Sequence, residues 1–124
     1  GADVVYAAAG GTGVGVLQAA ADADILSIGV DANQNYLHPG KVLTSMLKRV
    51  DLAVYNAFSE GENLTTGFNV MGLAEDGVGY ALDEHNKSLV TSDMMAALES
   101  ETAKIISGAK KVHDYMSNDT CPAK

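Results

Sequence analysis

The sequence predicts an α/β fold built on a parallel sheet, and three observations carry this prediction. A β-branched segment at residues 4–6 runs through a glycine-rich turn into a stretch whose apolar spacing is helical. A second apolar run at residues 25–30 follows so closely that only a crossover helix fits between the two strands. The first run is continuous rather than alternating, which is typical of a strand in a parallel sheet.

The composition limits the classes of protein and partner. A chain of 124 residues is enough for one domain that buries about two thirds of its unfolded surface. The net charge of −8 argues against nucleic acid and anionic membrane surfaces as partners. Cys121 is the only cysteine, so no internal disulfide can form, and we expect an exposed thiol in a polar tail. No apolar run approaches the roughly 20 residues that span a bilayer.

The chain opens with a strand, a turn and a helix. Residues 4–6 and the alanines that follow them predict a short buried strand that ends at Gly10. The helix after the glycines is indicated by apolar residues spaced along one face, namely Val14, Leu17 and Ala21. This order is the beginning of a β-α-β unit.

Two further strands follow the first helix. Residues 25–30 predict the second strand, and Asp31 stands at its carboxyl end. A polar, turn-rich loop at residues 32–40 is of the length that often carries ligand contacts. Residues 42–47 predict the third strand.

The middle of the chain predicts a second helix and a fourth strand. The helix is indicated by Val50, Val54 and Phe58, which lie on one face, and Gly61 stands where it should stop. After a polar loop, the apolar run at residues 68–73 predicts the fourth strand.

The last part of the chain predicts one long helix. A turn at residues 76–77 precedes another extended piece. The helix should begin near Ser92 or Asp93, since either residue is a fair N-cap, and Gly108 should end it. We expect residues 116–124 to form a flexible tail.

The glycine turn is the first candidate for ligand contact. A turn from a parallel strand into a helix presents free backbone N–H groups and the positive end of the helix dipole at the carboxyl edge of the sheet. Gly10, Gly11, Gly13 and Gly15 nevertheless do not match the dinucleotide pattern, because the position that should hold its last glycine is Val16. The turn therefore either lines a ligand site or is only a tight turn that needs small residues.

Asp31 and Lys48 are the second candidate. Asp31 follows Gly11 by twenty residues, the separation at which a dinucleotide fold places an acid on ribose hydroxyls. A carboxylate accepts two hydrogen bonds from a vicinal diol, so this geometry suits any ribose. Lys48 ends the third strand and would reach the same sugar if that strand is parallel. A solvated acid and a solvated lysine at two strand ends remain the alternative.

A metal site and catalysis are weaker interpretations. Asp83, Glu84 and His85 are adjacent, and adjacent residues do not face one site on a strand or a helix. No serine or cysteine nucleophile matches a pattern that would pair it with a histidine. We therefore expect no metal, no cofactor and no enzymatic activity.

Three long stretches resemble the basic membrane protein family of substrate-binding lipoproteins. They are "GADVVYAAAGGTGVGVLQAA", "IGVDANQNYLHPGKVLTSMLKRVDLAVYNA" and "EDGVGYALDEHN". These lipoproteins are nucleoside-binding members of the type I periplasmic binding proteins, which supply ABC importers. The likeness covers residues 1–115, and it identifies the chain as the C-terminal portion of such a protein, mainly one incomplete α/β lobe.

The resemblance implies a function and a site. Family members clamp a purine nucleoside between two lobes and are anchored outside the cytoplasmic membrane through a lipidated cysteine, which this chain does not contain at its start. By the resemblance, Asp31 and Lys48 would bind the ribose, and Gly10 and Gly11 would border the pocket. An ABC transporter permease would be the partner of the parent protein. The helix that begins at Val50 would pack on the missing lobe.

The resemblance also implies association, and two other functions stay open. Without the missing N-terminal portion, exposed apolar surface should make the chain self-associate or pair with that portion. The first alternative is a nucleotide-binding Rossmann-like domain of an oxidoreductase or regulator, which the spacing from Gly11 to Asp31 favours. The second is a self-associating fragment that has retained no ligand.

Overall fold

The computed structural model describes residues 1–120, over which a four-stranded sheet is combined with three α-helices. The elements are β1 Val4–Tyr6, α1 Thr12–Asp22, β2 Leu26–Asp31, β3 Val42–Lys48, α2 Val50–Glu60, β4 Val78–Tyr80 and α3 Ser92–Ile106. The strands lie in the order β1-β2-β3-β4. The first three are parallel, and β4 is antiparallel to β3. The predicted α/β fold with a mainly parallel sheet is confirmed.

β1 is an edge strand rather than the buried strand that the sequence predicts. It pairs with β2 alone, and Val4 and Tyr6 are 40% and 50% exposed. A continuous apolar run is typical of a strand that is covered on both faces and has a neighbouring strand on each side. Among the described residues, β1 has a neighbouring strand on one side only.

α1 packs against the sheet through a narrower face than its apolar spacing predicts. Leu17 and Ala20 are almost fully buried, whereas Val14 is 44% exposed. Gly13 is also buried, and a Cβ at this position would lie 3.4 Å from the carbonyl oxygen of Ala7. A small residue therefore allows the first turn of α1 to lie close to the chain that leaves β1.

The two faces of the sheet are covered by different parts of the chain. α3 lies over the face that carries Ile28, Thr44 and Tyr80, and a cavity of about 380 Å³ remains between this helix and the sheet. The opposite face carries Gly29 and Ser45, which contact the loop between β2 and β3. The sheet thus has a polar loop on one face and an incompletely filled apolar space on the other.

The N-cap of α3 lies one residue before the earlier of the two predicted candidates. The capping side chain is Thr91, whose hydroxyl accepts a hydrogen bond from the Met94 N–H at 3.2 Å, rather than Ser92 or Asp93. Threonine caps a helix as serine does, because its hydroxyl satisfies a backbone N–H that the helix leaves unpaired. The helix ends at Ile106, close to the predicted stop.

The predicted fourth strand at residues 68–73 is wrong. This segment forms no strand, and Phe68 and Val70 project almost completely into solvent. The fourth strand is instead β4, the extended piece after the turn at residues 76–77. Apolar periodicity indicates which residues could form a strand, but a strand also needs a partner for its backbone groups, and residues 1–120 supply none here.

α2 is largely exposed to solvent. Within the described part of the chain no residue of α2 is buried, and Phe58 is 83% exposed. A groove beside α2 is lined in part by Leu64 and Phe68. The packing of α2 on a second lobe stays a prediction.

The end of the described chain carries little regular structure. Residues 111–120 are exposed and contain a short 3₁₀ turn at Tyr115–Ser117. The flexible tail at 116–124 stays a prediction, and Cys121 lies outside the described residues. Over residues 1–120, no helix has the length and apolar character that a bilayer crossing requires.

Candidate ligand-binding edge

The predicted site residues all lie at one edge of the sheet. Gly10 and Gly11 follow β1, Asp31 is the last residue of β2, and Lys48 is the last residue of β3. These three strands are parallel, so their carboxyl ends share an edge. In open α/β sheets this is the edge at which ligands bind.

Asp31 and Lys48 form an ion pair. The Lys48 Nζ lies 3.0 Å from the Asp31 Oδ1. Their side chains are 50% and 57% exposed, so both groups face solvent and can contact a ligand. The sequence predicts that these residues share one edge of the sheet, and the structure places their charged atoms in contact.

The backbone at Asp31 adopts an uncommon conformation. Its φ angle is +69°, and the Ala32 N–H donates a 2.9 Å hydrogen bond to the Val30 carbonyl oxygen. A bond between residues i and i+2 around a positive φ angle is the mark of a γ-turn, which is strained for any residue except glycine. Aspartate tolerates this region better than most residues.

The glycine turn at the start of α1 is open to solvent. Gly10 has a φ angle of +53°, and the Gly13 N–H donates to the Gly10 carbonyl at 3.0 Å. Gly11 stands at the N-cap position and therefore has no side chain to cap the helix. An added Cβ at Gly10 or Gly11 would meet nothing within 4 Å. The first turn of α1 thus presents its backbone at the same edge as Asp31 and Lys48.

A buried polar network lies behind this edge, and sequence reasoning missed it. The Gln34 N–H donates to the Ser45 Oγ at 2.9 Å, and the Ser45 hydroxyl donates to the Asn35 Oδ1 at 2.8 Å. Asn35 and Ser45 are fully buried. The signal was present in the run of Asn and Gln within the loop, since such side chains often bond to the backbone of turns.

Asp83 joins this network from the turn after β4. Its Oδ2 accepts hydrogen bonds from the Asn33 Nδ2 at 2.7 Å and from the Asn35 Nδ2 at 3.1 Å, and its Oδ1 accepts the His85 N–H at 2.8 Å. The hydrogen bond from Asn33 is the main reason why the pKa of the Asp83 carboxyl lies below its ordinary value, and those from His85 and Asn35 add to it. The ionised form of Asp83 therefore ties two loops together.

Asn86 anchors the same turn from inside the protein. It is fully buried, and its Nδ2 donates to the carbonyl oxygens of Leu43 and Ala81, both at 2.9 Å. Its Oδ1 accepts the Asp83 N–H at 2.8 Å. One side chain thus links β3, the end of β4 and the turn that carries Asp83.

The acidic turn has a structural role in this network. Asp83, Glu84 and His85 each place a possible ligand atom within 4.8 Å of the others, because they lie in a turn, where the objection from strand or helix geometry does not hold. The Asp83 carboxylate, however, already accepts three hydrogen bonds from the protein. These bonds account for the position of Asp83, and the absence of a metal stays a prediction.

The fold defines a class of binding protein. A solved solute-binding protein of an ABC transporter system from Aeropyrum pernix K1 matches with a TM-score of 0.75 and 29% sequence identity. The match covers 96% of this chain and 43% of that one. In open α/β sheets ligands bind at the carboxyl edge, and here that edge carries the exposed polar groups described above.

Sequence comparison narrows this class to a family. The chain belongs to the family described as ABC transporter substrate-binding protein PnrA-like, whose profile matches residues 1–115. Basic membrane protein D of Borreliella burgdorferi (strain JD1) is 42% identical over 94 residues, which cover 71% of this chain and 28% of that protein. An uncharacterised lipoprotein of Pyrococcus abyssi is 40% identical over 88 residues, which cover 64% of this chain and 22% of that protein. The chain therefore spans less than half the length of these relatives.

Proposed function

We propose that this chain supplies part of the binding site of an ABC importer's solute-binding protein, and that the ligand is a purine nucleoside or a similar ribose-containing molecule. The role is binding rather than catalysis. Asp31 and Lys48 contact the ribose, and the turn at Gly10 and Gly11 borders the ligand. Family membership supports the importer class and favours it over a dinucleotide-binding domain.

The contact between Asp31 and Lys48 is the observation that carries this proposal. A carboxylate is an acceptor for two hydroxyl donors, whereas an ammonium is a donor to a hydroxyl or ring oxygen. Placed 3.0 Å apart at an exposed edge, the two groups offer both halves of the pattern that a vicinal diol requires. The resemblance to the basic membrane protein family implies the same assignment.

The rest of the pocket would come from outside this chain. Tyr6 and Tyr36 are half exposed or more. Neither Asp31 nor Lys48 lines the cavity under α3 or the groove beside α2. We therefore propose a half-site, completed by a second lobe of a parent protein that a lipid anchor holds outside the cytoplasmic membrane and that delivers its ligand to a permease. The lipoprotein relatives support this location.

Substitution of Asp31 tests the ribose assignment. We expect Asp31→Asn to weaken the binding of adenosine, guanosine or inosine by about tenfold to a hundredfold, the range that corresponds to a charge-assisted hydrogen bond. Asparagine is chosen because it tolerates the positive φ angle that alanine would strain. The measurement is isothermal titration of each nucleoside into the polypeptide as its source produces it.

Asp24 provides the matched control. It also has a positive φ angle and an ion pair with a lysine, Lys41, but it precedes β2 and so lies at the opposite edge. Asp24→Asn should leave the affinity within about twofold, below the usual worth of one hydrogen bond. An equal effect of the two substitutions, or an affinity that Asp31→Asn leaves unchanged, would refute the ribose assignment. Absence of nucleoside binding to the unmodified polypeptide would refute the ligand class.

We also propose that the isolated chain associates, with itself or with the missing portion of the parent protein. The large apolar side chains of α2 and of the segment that follows it are exposed in the described residues, notably Phe58, Phe68 and Val70. An apolar patch of this kind is rare on a stable monomer, because its burial is favourable at about 25 cal/mol per Å².

Sedimentation tests this association. We expect the apparent mass of the 124-residue chain to rise with concentration, and we expect Phe58→Ser to reduce that rise, because Phe58 is the most exposed large side chain of α2. Val112→Ser, at an exposed apolar residue outside this surface, is the control. A well-folded monomer at every concentration would be evidence against the proposal.

A further inference from the structure

Gln34 holds the backbone that carries Asp31. Its side-chain Oε1 accepts the Val30 N–H at 2.9 Å, one residue before Asp31. Its own N–H donates to the Ser45 Oγ at 2.9 Å, and Ser45 belongs to the strand that ends at Lys48. Gln34 thus connects the backbone near the end of β2 to Ser45 in β3.

The approach of Gln34 depends on the absence of a neighbouring side chain. A Cβ at Gly29 would lie 2.9 Å from both the Cβ and the Oε1 of Gln34, and 2.6 Å from the Ser45 Oγ. Real side chains do not occupy such distances. The sheet therefore leaves a gap at Gly29 into which the Gln34 side chain fits.

The Asp31 turn needs such support. A positive φ angle in a γ-turn persists only where the surrounding structure determines it. On one side the turn is closed by the bond from the Ala32 N–H to the Val30 carbonyl, and on the other the Val30 N–H is held by Gln34. Without the Gln34 acceptor, the backbone at Val30 would lose the bond that fixes the entry to the turn.

We propose that Gln34 is a positioning residue that holds the Asp31 carboxylate against Lys48 in the geometry that receives the ligand. The role of Gln34 in ligand binding rests on the proposed function, but its effect on the position of Asp31 can be tested without a ligand. Gln34 acts through Val30 and does not contact the ligand. Asn33 and Asn35, which flank Gln34, donate hydrogen bonds to Asp83 and hold the same part of the loop in place.

Two substitutions separate the effect of the Gln34 hydrogen-bond acceptor from the effect of its side-chain volume. Gln34→Met keeps a similar volume but lacks the oxygen, and we expect it to weaken nucleoside binding about fivefold to tenfold, the range of one neutral hydrogen bond. Gln34→Glu keeps the oxygen and should restore affinity to within about threefold of the unmodified protein. Thr91→Ala, which removes the cap of α3, controls for general loss of stability and should leave the affinity unchanged.

A measurement without ligand decides the inference independently. In the ligand-free protein, the carbon-13 shift of the Asp31 carboxyl should respond to Lys48→Met, because the two groups are in contact. In the Gln34→Met background this response should fall by more than half, and in the Gln34→Glu and Thr91→Ala backgrounds it should persist.

The outcomes distinguish this inference from the proposed function. Equal responses of the Asp31 signal in the unmodified and Gln34→Met proteins would overturn the positioning role, whatever the ligand. Loss of affinity in Thr91→Ala as large as in Gln34→Met would also overturn it. Absence of nucleoside binding together with a reduced Asp31 response would refute the ligand but support the role of Gln34.

Discussion

Asn86→Ala should destabilise the fold by about 3–5 kcal/mol, the largest effect that we expect from a single substitution. The alanine would leave the Asp83 N–H and the Leu43 carbonyl oxygen without the partners that they have now. Each buried polar group without a partner costs about 1–3 kcal/mol, and the lost side-chain volume adds a cavity. The Ala81 carbonyl oxygen keeps the Thr44 hydroxyl as a donor and contributes less.

Urea unfolding followed by circular dichroism measures this loss. Asn69→Ala makes the same chemical change at an exposed position in the described chain and should alter the free energy of unfolding by less than about 0.5 kcal/mol. If Asn86→Ala were no more harmful than Asn69→Ala, the network would not contribute to stability as we describe. Asn86→Ala should also loosen the turn that carries Asp83.

Gly29→Ala should cost about 3 kcal/mol, at the upper end of the range for an overpacked interior. The new methyl group would lie 2.6 Å from the Ser45 Oγ and 2.9 Å from the Gln34 Cβ, so both residues would have to move. The displacement would break the bonds that Gln34 makes to Val30 and Ser45. Gly29→Ala should therefore both lower the free energy of unfolding and displace Asp31.

Gly79→Ala is the control for this substitution. Gly79 also lies in a strand of the sheet, and a Cβ there would meet nothing within 4 Å. Alanine has less conformational freedom to lose than glycine, so we expect Gly79→Ala to be neutral or slightly stabilising in thermal unfolding. Equal losses of stability at Gly29 and Gly79 would show that the close contacts at Gly29 are not the cause.

The sequence predicts most of the sheet and the three α-helices. Continuous apolar runs and a glycine turn indicate β1, α1 and β2, and the boundaries of β2 and β3 agree to within one residue. The joint position of Asp31 and Lys48 could also be predicted, because residues at the carboxyl ends of adjacent parallel strands share an edge. These features follow from local pattern and from the geometry of β-α-β units.

Features that depend on distant partners could not be predicted in this way. The exposure of β1 and the lack of strand structure at residues 68–73 depend on which parts of the protein lie beside them. The spacing of apolar residues along the sequence does not contain this information. The links from Asp83 to Asn33 and Asn35 span about fifty residues of sequence. No local rule brings such side chains together; the pairing of β3 with both β2 and β4 does.

The antiparallel pairing of β3 and β4 has a consequence for the whole middle of the chain. Lys48 stands opposite Val78, and the Arg49 N–H donates to the Gly77 carbonyl oxygen at 2.9 Å. β3 and β4 are therefore adjacent antiparallel strands, and residues 50–76, inserted between them, leave and re-enter the sheet at the same place. Entry and exit of the insertion are adjacent, so its length and shape can vary between homologous proteins while Lys48 keeps its place.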